Sequence, residues 1–488
     1  MKKNNPFLPG ISTKLEGKSR RRQLEDIQNR LRSLRDDSIA DLGVLFSGIL
    51  PIEMLLDAEQ QVRSRLFPEV ITFWAWMSQL LESNASCAKA LTRVQNWYDS
   101  ADLPVPAFDT SAYCRARGRL SGEFLDVVEV RSRSYTEARI EGHHLWYGYR
   151  LKAIDGTSVK LLDTPPNQKE YPQPSTQKPG CGYPVMGVAG VLDLATGRIE
   201  THAAGDYREH DTKGLYKLCD HFGQDDLLIA DRAYGSYELI ALLLDRGTQS
   251  VMRLHQKREG KIDWRCGKKL GADSRLIVWK KPPGPGKCGI TEAEWSELPD
   301  TMELRLVRTK RKGRDGKMRT LYIVTTLIDA EEYPSEEIAW LYAERWKIEV
   351  KFRDIKTTMN LEMLRVKSPK MARKSMRMAC ACYNLVKSLQ MEALVGEPVV
   401  MDEIGFKGTL DLINEFRNQF RGLQTKPRLL AGRMEALEER IIERILHIRP
   451  GRSEPRATKL RPKSYHYLTK PRSEFIEIPH RNHYRAAA

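Results

Sequence analysis

The chain has 488 residues; 80 are Lys or Arg and 64 are Asp or Glu, a formal net charge of +16, and 41% are hydrophobic. That length allows about three domains at roughly 150 residues each, and the apolar fraction is ample for a buried core, which excludes a wholly disordered chain. No apolar run approaches the roughly 18 residues of a membrane span, and the basic start MKKNNPFLPG lacks the apolar segment of a secretion signal, so a cytoplasmic protein is expected.

The eight cysteines form no C-x-x-C pair, and the ten histidines show no H-E-x-x-H spacing. Reduced thiols are expected, and a metal, if used, must be held by carboxylates. The positive charge is concentrated: residues 251–320 hold 19 Lys/Arg against 9 Asp/Glu, and residues 451–488 hold 9 against 3. Such clustering fits a polyanionic partner.

In chain order, the first 145 residues read as helical. Leu24, Ile27, Leu31 and Leu34 recur at helical spacing, and further patterns cover about 68–98 and 110–140, broken at Pro104 and Pro106. This Arg-rich block fits DNA binding and a structural cap equally well. From Trp146 the pattern changes. YRLKAIDGT (149–157) reads as a strand, a Pro-rich loop follows, and 185–194 with 198–205 reads as a hairpin. A helix over 212–222, the apolar strand DLLIAD (226–231) and a helix over 236–247 come next. Strand, strand, strand, helix, strand, helix is the order of a ribonuclease-H-like α/β core. Residues 251–330 read as a basic β insertion, with strands at 275–280, 302–310 and 318–327. After Pro334 one helix is expected over 338–359, then helices at 371–394, 410–420 and 430–446, and finally an extended basic arm. The expected organisation is a helical N-terminal region (1–145), the first part of the core (146–250), the insertion (251–330), the rest of the core (331–370), a helical C-terminal region (371–450) and a basic tail (451–488).

Three acids stand out. Asp155 reads as ending a strand before Gly156, Asp231 ends the strand LLIA, and Glu349 lies on the helix that follows the insertion. Strand ends and a facing helix can gather carboxylates at one sheet edge. Three hard oxygen donors suit Mg²⁺ or Mn²⁺, and two such ions roughly 3.5–4 Å apart can clamp both oxygens of an in-line phosphoryl displacement. Taken singly, each acid fits a turn, a cap or a solvated face just as well. On the helix, Tyr342, Arg345, Glu349 and Lys356 fall close to one face at 3.6 residues per turn. A phenol, a guanidinium, a carboxylate and an ammonium share a stripe that an amphipathic helix would make apolar. A surface ion-pair stripe is the plain alternative. Lys351 and Arg353 add charge nearby.

The pattern Y-x2-R-x3-E-x6-K, present as YAERWKIEVKFRDIK, resembles the signature of bacterial insertion-sequence transposases of the insertion-sequence-4 family, in the DDE group. IDGTSVKLLDTPPNQKEYPQPSTQKPGCGYP and LLIADRAYGSYEL are similar to that family's segments around its first and second catalytic Asp, so the resemblance covers about 145–365 specifically. It implies that Asp155, Asp231 and Glu349 form a metal-binding catalytic triad using Mg²⁺, with Mn²⁺ as a substitute. It also implies that Tyr342, Arg345 and Lys356 hold phosphates near the transposon end, with Arg232, Lys351 and Arg353 as further DNA contacts. Arg353 stands where related transposases carry Lys, which keeps the charge but not the compact ammonium. The family cuts at element ends, commonly through a hairpin, and joins the 3′-OH to target DNA. The implied partners are the double-stranded terminal inverted repeats, target DNA and a second copy of the chain, in the bacterial nucleoid. A Trp in the insertion of some relatives stacks near a flipped base, and Trp264, Trp279 and Trp295 are the candidates here.

Two other readings fit the same residues. An inactive relative that occupies transposon ends as an inhibitor would bind without cutting. A structure-specific nuclease on the same fold would cut by DNA shape, where a transposase needs its terminal sequence.

Overall fold

The structure is a computed structural model and describes residues 40–59, 66–82, 85–100, 105–209, 211–312, 317–397, 400–423, 425–446 and 467–476. The helical repeat at Leu24–Leu34 and most of the basic arm lie outside the described residues.

Among the described residues, six α-helices precede the sheet: α1 (Ala40–Leu45), α2 (Ile52–Asp57), α3 (Glu69–Leu80), α4 (Cys87–Ser100), α5 (Thr110–Arg119) and α6 (Gly122–Glu137). Each of the two long helical patterns is thus divided. The second divides at Leu120, where Ser121 takes an extended conformation and its hydroxyl caps α6 by accepting from the Phe124 N–H. Glu69, at the start of α3, is buried, and its carboxylate accepts from the Ser121 N–H at 2.6 Å, tying the two helical pairs together.

The sheet begins with β1 (Arg150–Leu161), followed by α7 (Pro165–Glu170), β2 (Val185–Asp193), β3 (Ile199–Asp206) and α8 (Asp211–Tyr216). Then come β4 (Asp226–Ala230), α9 (Tyr237–Asp245), β5 (Gln249–Arg253) and α10 (Gln256–Glu259). The order across the sheet starts β3-β2-β1-β4-β5, with β2 antiparallel to both neighbours and β1, β4 and β5 parallel. That is the ribonuclease-H-like arrangement. β4 is buried at every position, as a central strand covered on both faces must be, which is why DLLIA reads as an unbroken apolar run.

Residues 251–330 begin inside β5 and then form β6 (Lys268–Gly271), β7 (Ser274–Lys280), α11 (Glu292–Glu297), β8 (Thr301–Lys312) and β9 (Met318–Thr325). These strands do not stand apart. β9 pairs antiparallel with β5, so β9-β8-β7-β6 continue the same sheet.

The expected single helix over 338–359 is three segments: α12 (Ser335–Glu344), α13 (Trp346–Arg353) and a wider π-helical turn over Asp354–Thr358. The backbone stays helical at Arg345, but the hydrogen bonds there tighten to three-residue spacing, from Arg345 N–H to Tyr342 and from Ile348 N–H to Arg345. A short β10 (Met363–Leu364) pairs with the end of β1. Among the described residues, three α-helices follow: α14 (Pro369–Ala393), α15 (Phe406–Phe416) and α16 (Pro427–Ile442). The largest core lies between one face of β1–β3, the N-terminal helices, α13 and the C-terminal helices. A second core on the other face joins α9 to the insertion. None of the described helices is long and apolar enough to cross a membrane.

Candidate active site

β1 does not end at Asp155. β2 pairs with it as far as Lys160, so the strand runs on and Asp155 lies within it. The pairing of β1 with β4 does stop there, at Ile154 opposite Ala230. Asp155 and Asp231 therefore stand side by side where two parallel strands part. Open α/β sheets collect their chemistry at such strand ends.

The helical segments bring in the third acid. The Tyr342 hydroxyl donates to Asp231 Oδ1 at 3.3 Å. Arg345 Nη2 donates to Glu349 Oε1 at 3.0 Å, and its Nη1 lies 3.7 Å from Asp155 Oδ2. Asp155, Glu349, Arg345 and Tyr342 are thus contiguous, with Asp231 joined through the phenol. Backbone N–H groups of Gly156 and Arg232 donate to Asp155 and Asp231 at 2.8 and 2.7 Å.

Burial pushes the Asp155 carboxyl up to about 6, with Glu349 and Asp231 adding to the rise against the Gly156 N–H and Arg345. Burial likewise pushes the Tyr342 phenol up to about 12, helped by Asp231, so it stays a donor near neutral pH. Burial opposes the Arg345 charge, but Tyr342, Asp231, Glu349 and Asp155 together raise its pKa. Among the described residues, no three His, Cys, Asp or Glu side chains are gathered tightly enough to hold an ion as they stand. Arg345 instead supplies the positive charge between Asp155 and Glu349. The donor set is all carboxylate oxygen, and Asp155 carries the cost of its acidic neighbours. That chemistry fits a hard divalent cation.

Lys356, on the π turn, lines a trough of about 480 Å³ together with Asp155, Gly156, Thr157 and Ser158. Arg353 is exposed, and Arg232 reaches Gln256 Oε1 at 3.4 Å. Lys351 is different. It is 6% exposed and its Nζ lies 2.9 Å from Asp402 Oδ1, so its charge is committed inside the protein. Of the three tryptophans, Trp279 and Trp295 are each 7% exposed, and Trp295 packs edge-on to Tyr237. Trp264 is half-buried, with the Arg308 and Arg275 guanidinium groups 4.4 and 5.4 Å from its ring centre.

Arg253 was not evident from the sequence. It ends β5 one strand over from Asp231, and its charge acts on Tyr342. The signal that could have found it is its place at the end of SVMR, the strand after the one that ends in Asp231.

The family model described as Transposase DDE domain matches residues 146–385. The chain is 24% identical over 372 residues to the transposase InsG for insertion sequence element IS4 of Escherichia coli K12, across 75% of this chain and 79% of that one. It is 28% identical over 252 residues to the putative transposase InsL for IS186A of Escherichia coli K12, across 46% of this chain and 62% of that one. The transposase for IS421 of Escherichia coli matches to the same extent. A solved piggyBac transposase synaptic complex with hairpin DNA shares 12% identity at a TM-score of 0.42, over 84% of this chain and 86% of that one. Residues 146–385 thus carry a DDE transposase domain, and the chain is similar over most of its length to the transposase of insertion sequence element IS4.

Proposed function

We propose that the chain moves its own insertion element by binding the terminal inverted repeats, cutting there and joining the freed 3′-OH ends to target DNA. The observation that most supports this is the meeting of Asp155, Asp231 and Glu349 around Arg345 and Tyr342. Enzymes of this family use divalent metal ions. In this reading the three carboxylates hold Mg²⁺, for which Mn²⁺ can substitute. Held there, such ions would supply the Lewis acidity that an in-line phosphoryl displacement needs.

The chain's own residues supply the rest. Arg345, which now contacts Glu349 and Asp155, would turn to the scissile phosphate. Tyr342 keeps its proton and orients Asp231. Lys356, Arg353 and Arg232 neutralise neighbouring phosphates. Lys351 drops out of this set because Asp402 holds it. Trp264 is the tryptophan with ring surface available for a displaced base, framed by two guanidinium groups. Cutting exchanges a bridging P–O bond for one to water. Hairpin formation exchanges it for one to the 3′-OH, and each departing oxygen is protonated. Two ends per element call for a homodimer in the synaptic complex, acting in the cytoplasm at the nucleoid. Residues 1–145 serve end recognition, and 451–488 add phosphate contacts.

Glu349→Cys tests the site. A thiolate is a poor ligand for Mg²⁺ and a better one for Mn²⁺. Cleavage of a terminal-repeat duplex should vanish in Mg²⁺ and return in part in Mn²⁺. Equal loss in both ions, with end binding intact, would count against Glu349 as a ligand.

A further inference from the structure

The helix that carries Glu349 is gripped from outside the region that matches the family model. α13 bears Lys347 and Lys351 one turn apart, each two residues from Glu349 and so roughly on the opposite side of the helix. Both ammonium groups meet a single carboxylate. Lys347 Nζ lies 2.7 Å from Asp402 Oδ2, and Lys351 Nζ lies 2.9 Å from Asp402 Oδ1. Asp402 sits on a short 3₁₀ turn, Met401–Glu403, beyond residue 385.

The grip is backed by further buried polar contacts. Lys387 of α14, fully buried, donates to Gln390 Oε1 at 2.7 Å, and Gln390 Nε2 donates to Thr409 Oγ1 at 2.7 Å. The flanks of α13 are where its winding changes, at Arg345 and at the π turn. Between them Ile348 and Phe352 pack α13 into the main core, and the Asp402 contacts are its charged hold on the side away from Glu349.

We propose that Asp402 is a positioning residue for the transposition chemistry: through Lys347 and Lys351 it fixes the rotation and height of α13, and so the place of Glu349 relative to Asp155 and Asp231. This rests on Glu349 being catalytic, as proposed above. The C-terminal helical region is then part of the catalytic apparatus. Asparagine keeps the shape of this partly buried carboxylate but not its charge, so Asp402→Asn takes from buried Lys351 its ion-pair partner and leaves Lys347 paired with Glu344 alone.

The experiment uses full-length Asp402→Asn, compared with wild type. One arm reads hydrogen exchange by mass spectrometry without metal or DNA. The other reads single-turnover cleavage and binding of a terminal-repeat duplex. Exchange over 346–358 should quicken about tenfold or more, while peptides from β1 and β4 keep their protection. Cleavage should fall about a hundredfold, end binding should change less than about twofold, and the Mg²⁺ concentration for half-maximal cleavage should rise. Asp402→Glu should recover part of both. Unchanged exchange over 346–358 would overturn the proposal, and so would loss of protection throughout the chain. If wild type fails to cleave, the proposed function fails, while the exchange arm still decides whether Asp402 fixes α13.

Discussion

Gly190 offers a sharp test of how closely the sheet and the catalytic helix are fitted. It pairs with Asp155 in the register of β1 and β2. A Cβ added there would lie 2.8 Å from Phe352 Cζ and 3.1 Å from Cε1. Carbon atoms in ordinary contact sit about 3.5–4.0 Å apart, so ring or strand must give way by about 0.7 Å or more. Phe352 is 5% exposed and part of the main core, so its ring has no path to solvent. It also lies on α13, three residues after Glu349. Gly190→Ala should therefore lower stability by about 1–3 kcal/mol through overpacking. If the strain moves α13 by most of an ångström, cleavage should fall about a hundredfold. Thermal unfolding and single-turnover cleavage of a terminal-repeat duplex measure both effects. Phe352→Leu in the same chain removes the far ring atoms and should restore most of the rate. A Gly190→Ala protein that melts and cleaves like wild type would refute the reasoning.

Other outcomes follow from the same structure. Asp155 has its pKa raised from 3.8 to about 6 in the metal-free protein. Its contribution to stability is therefore fully present below about pH 4 and lost as pH rises through about 6. Asp155→Asn should remove that part of the pH dependence in metal-free unfolding curves, and identical curves for the two proteins would contradict it. Arg305, fully buried, donates to Ser274 Oγ, the Asp329 and Tyr333 carbonyls and Ser335 Oγ, joining β8 to the start of α12. Arg305→Leu leaves those acceptors without this donor and should cost about 3 kcal/mol or more in denaturant unfolding. Trp264→Ala should weaken the fluorescence change of 2-aminopurine placed at the cleavage site, while Trp279→Ala should act mainly on stability. Deleting Gly451–Ala488 should weaken DNA binding and flatten its salt dependence, and an unchanged salt slope would exclude a phosphate-binding role for the arm.

Much of the core is legible in the sequence because its strands obey simple burial rules. DLLIA is apolar throughout since β4 is covered on both faces, and the β2–β3 hairpin turns where Gly197 takes a positive φ of 66°. Other features depend on distant partners. Asp155 lies within a strand because β2 extends the pairing, which the Asp-Gly pair itself does not reveal. The break at Arg345 falls among residues compatible with a continuous helix, so local propensity gives no warning of it. Lys351 looks like one more surface cation beside Arg353, and its burial is set by Asp402, far along the chain on a turn too short to carry a periodic signal. The insertion strands are visible singly, yet their union with the main sheet depends on β9 meeting β5.

The central claim is metal-dependent DNA cleavage by the three carboxylates. Its most direct test is cleavage of a duplex carrying the element's own terminal repeat, comparing wild type with Glu349→Ala, each with Mg²⁺ and with chelator. The account predicts cut strands only for wild type with Mg²⁺, while both proteins bind the duplex. Binding without cleavage by wild type in Mg²⁺ and in Mn²⁺, or equal cleavage by Glu349→Ala, would contradict it.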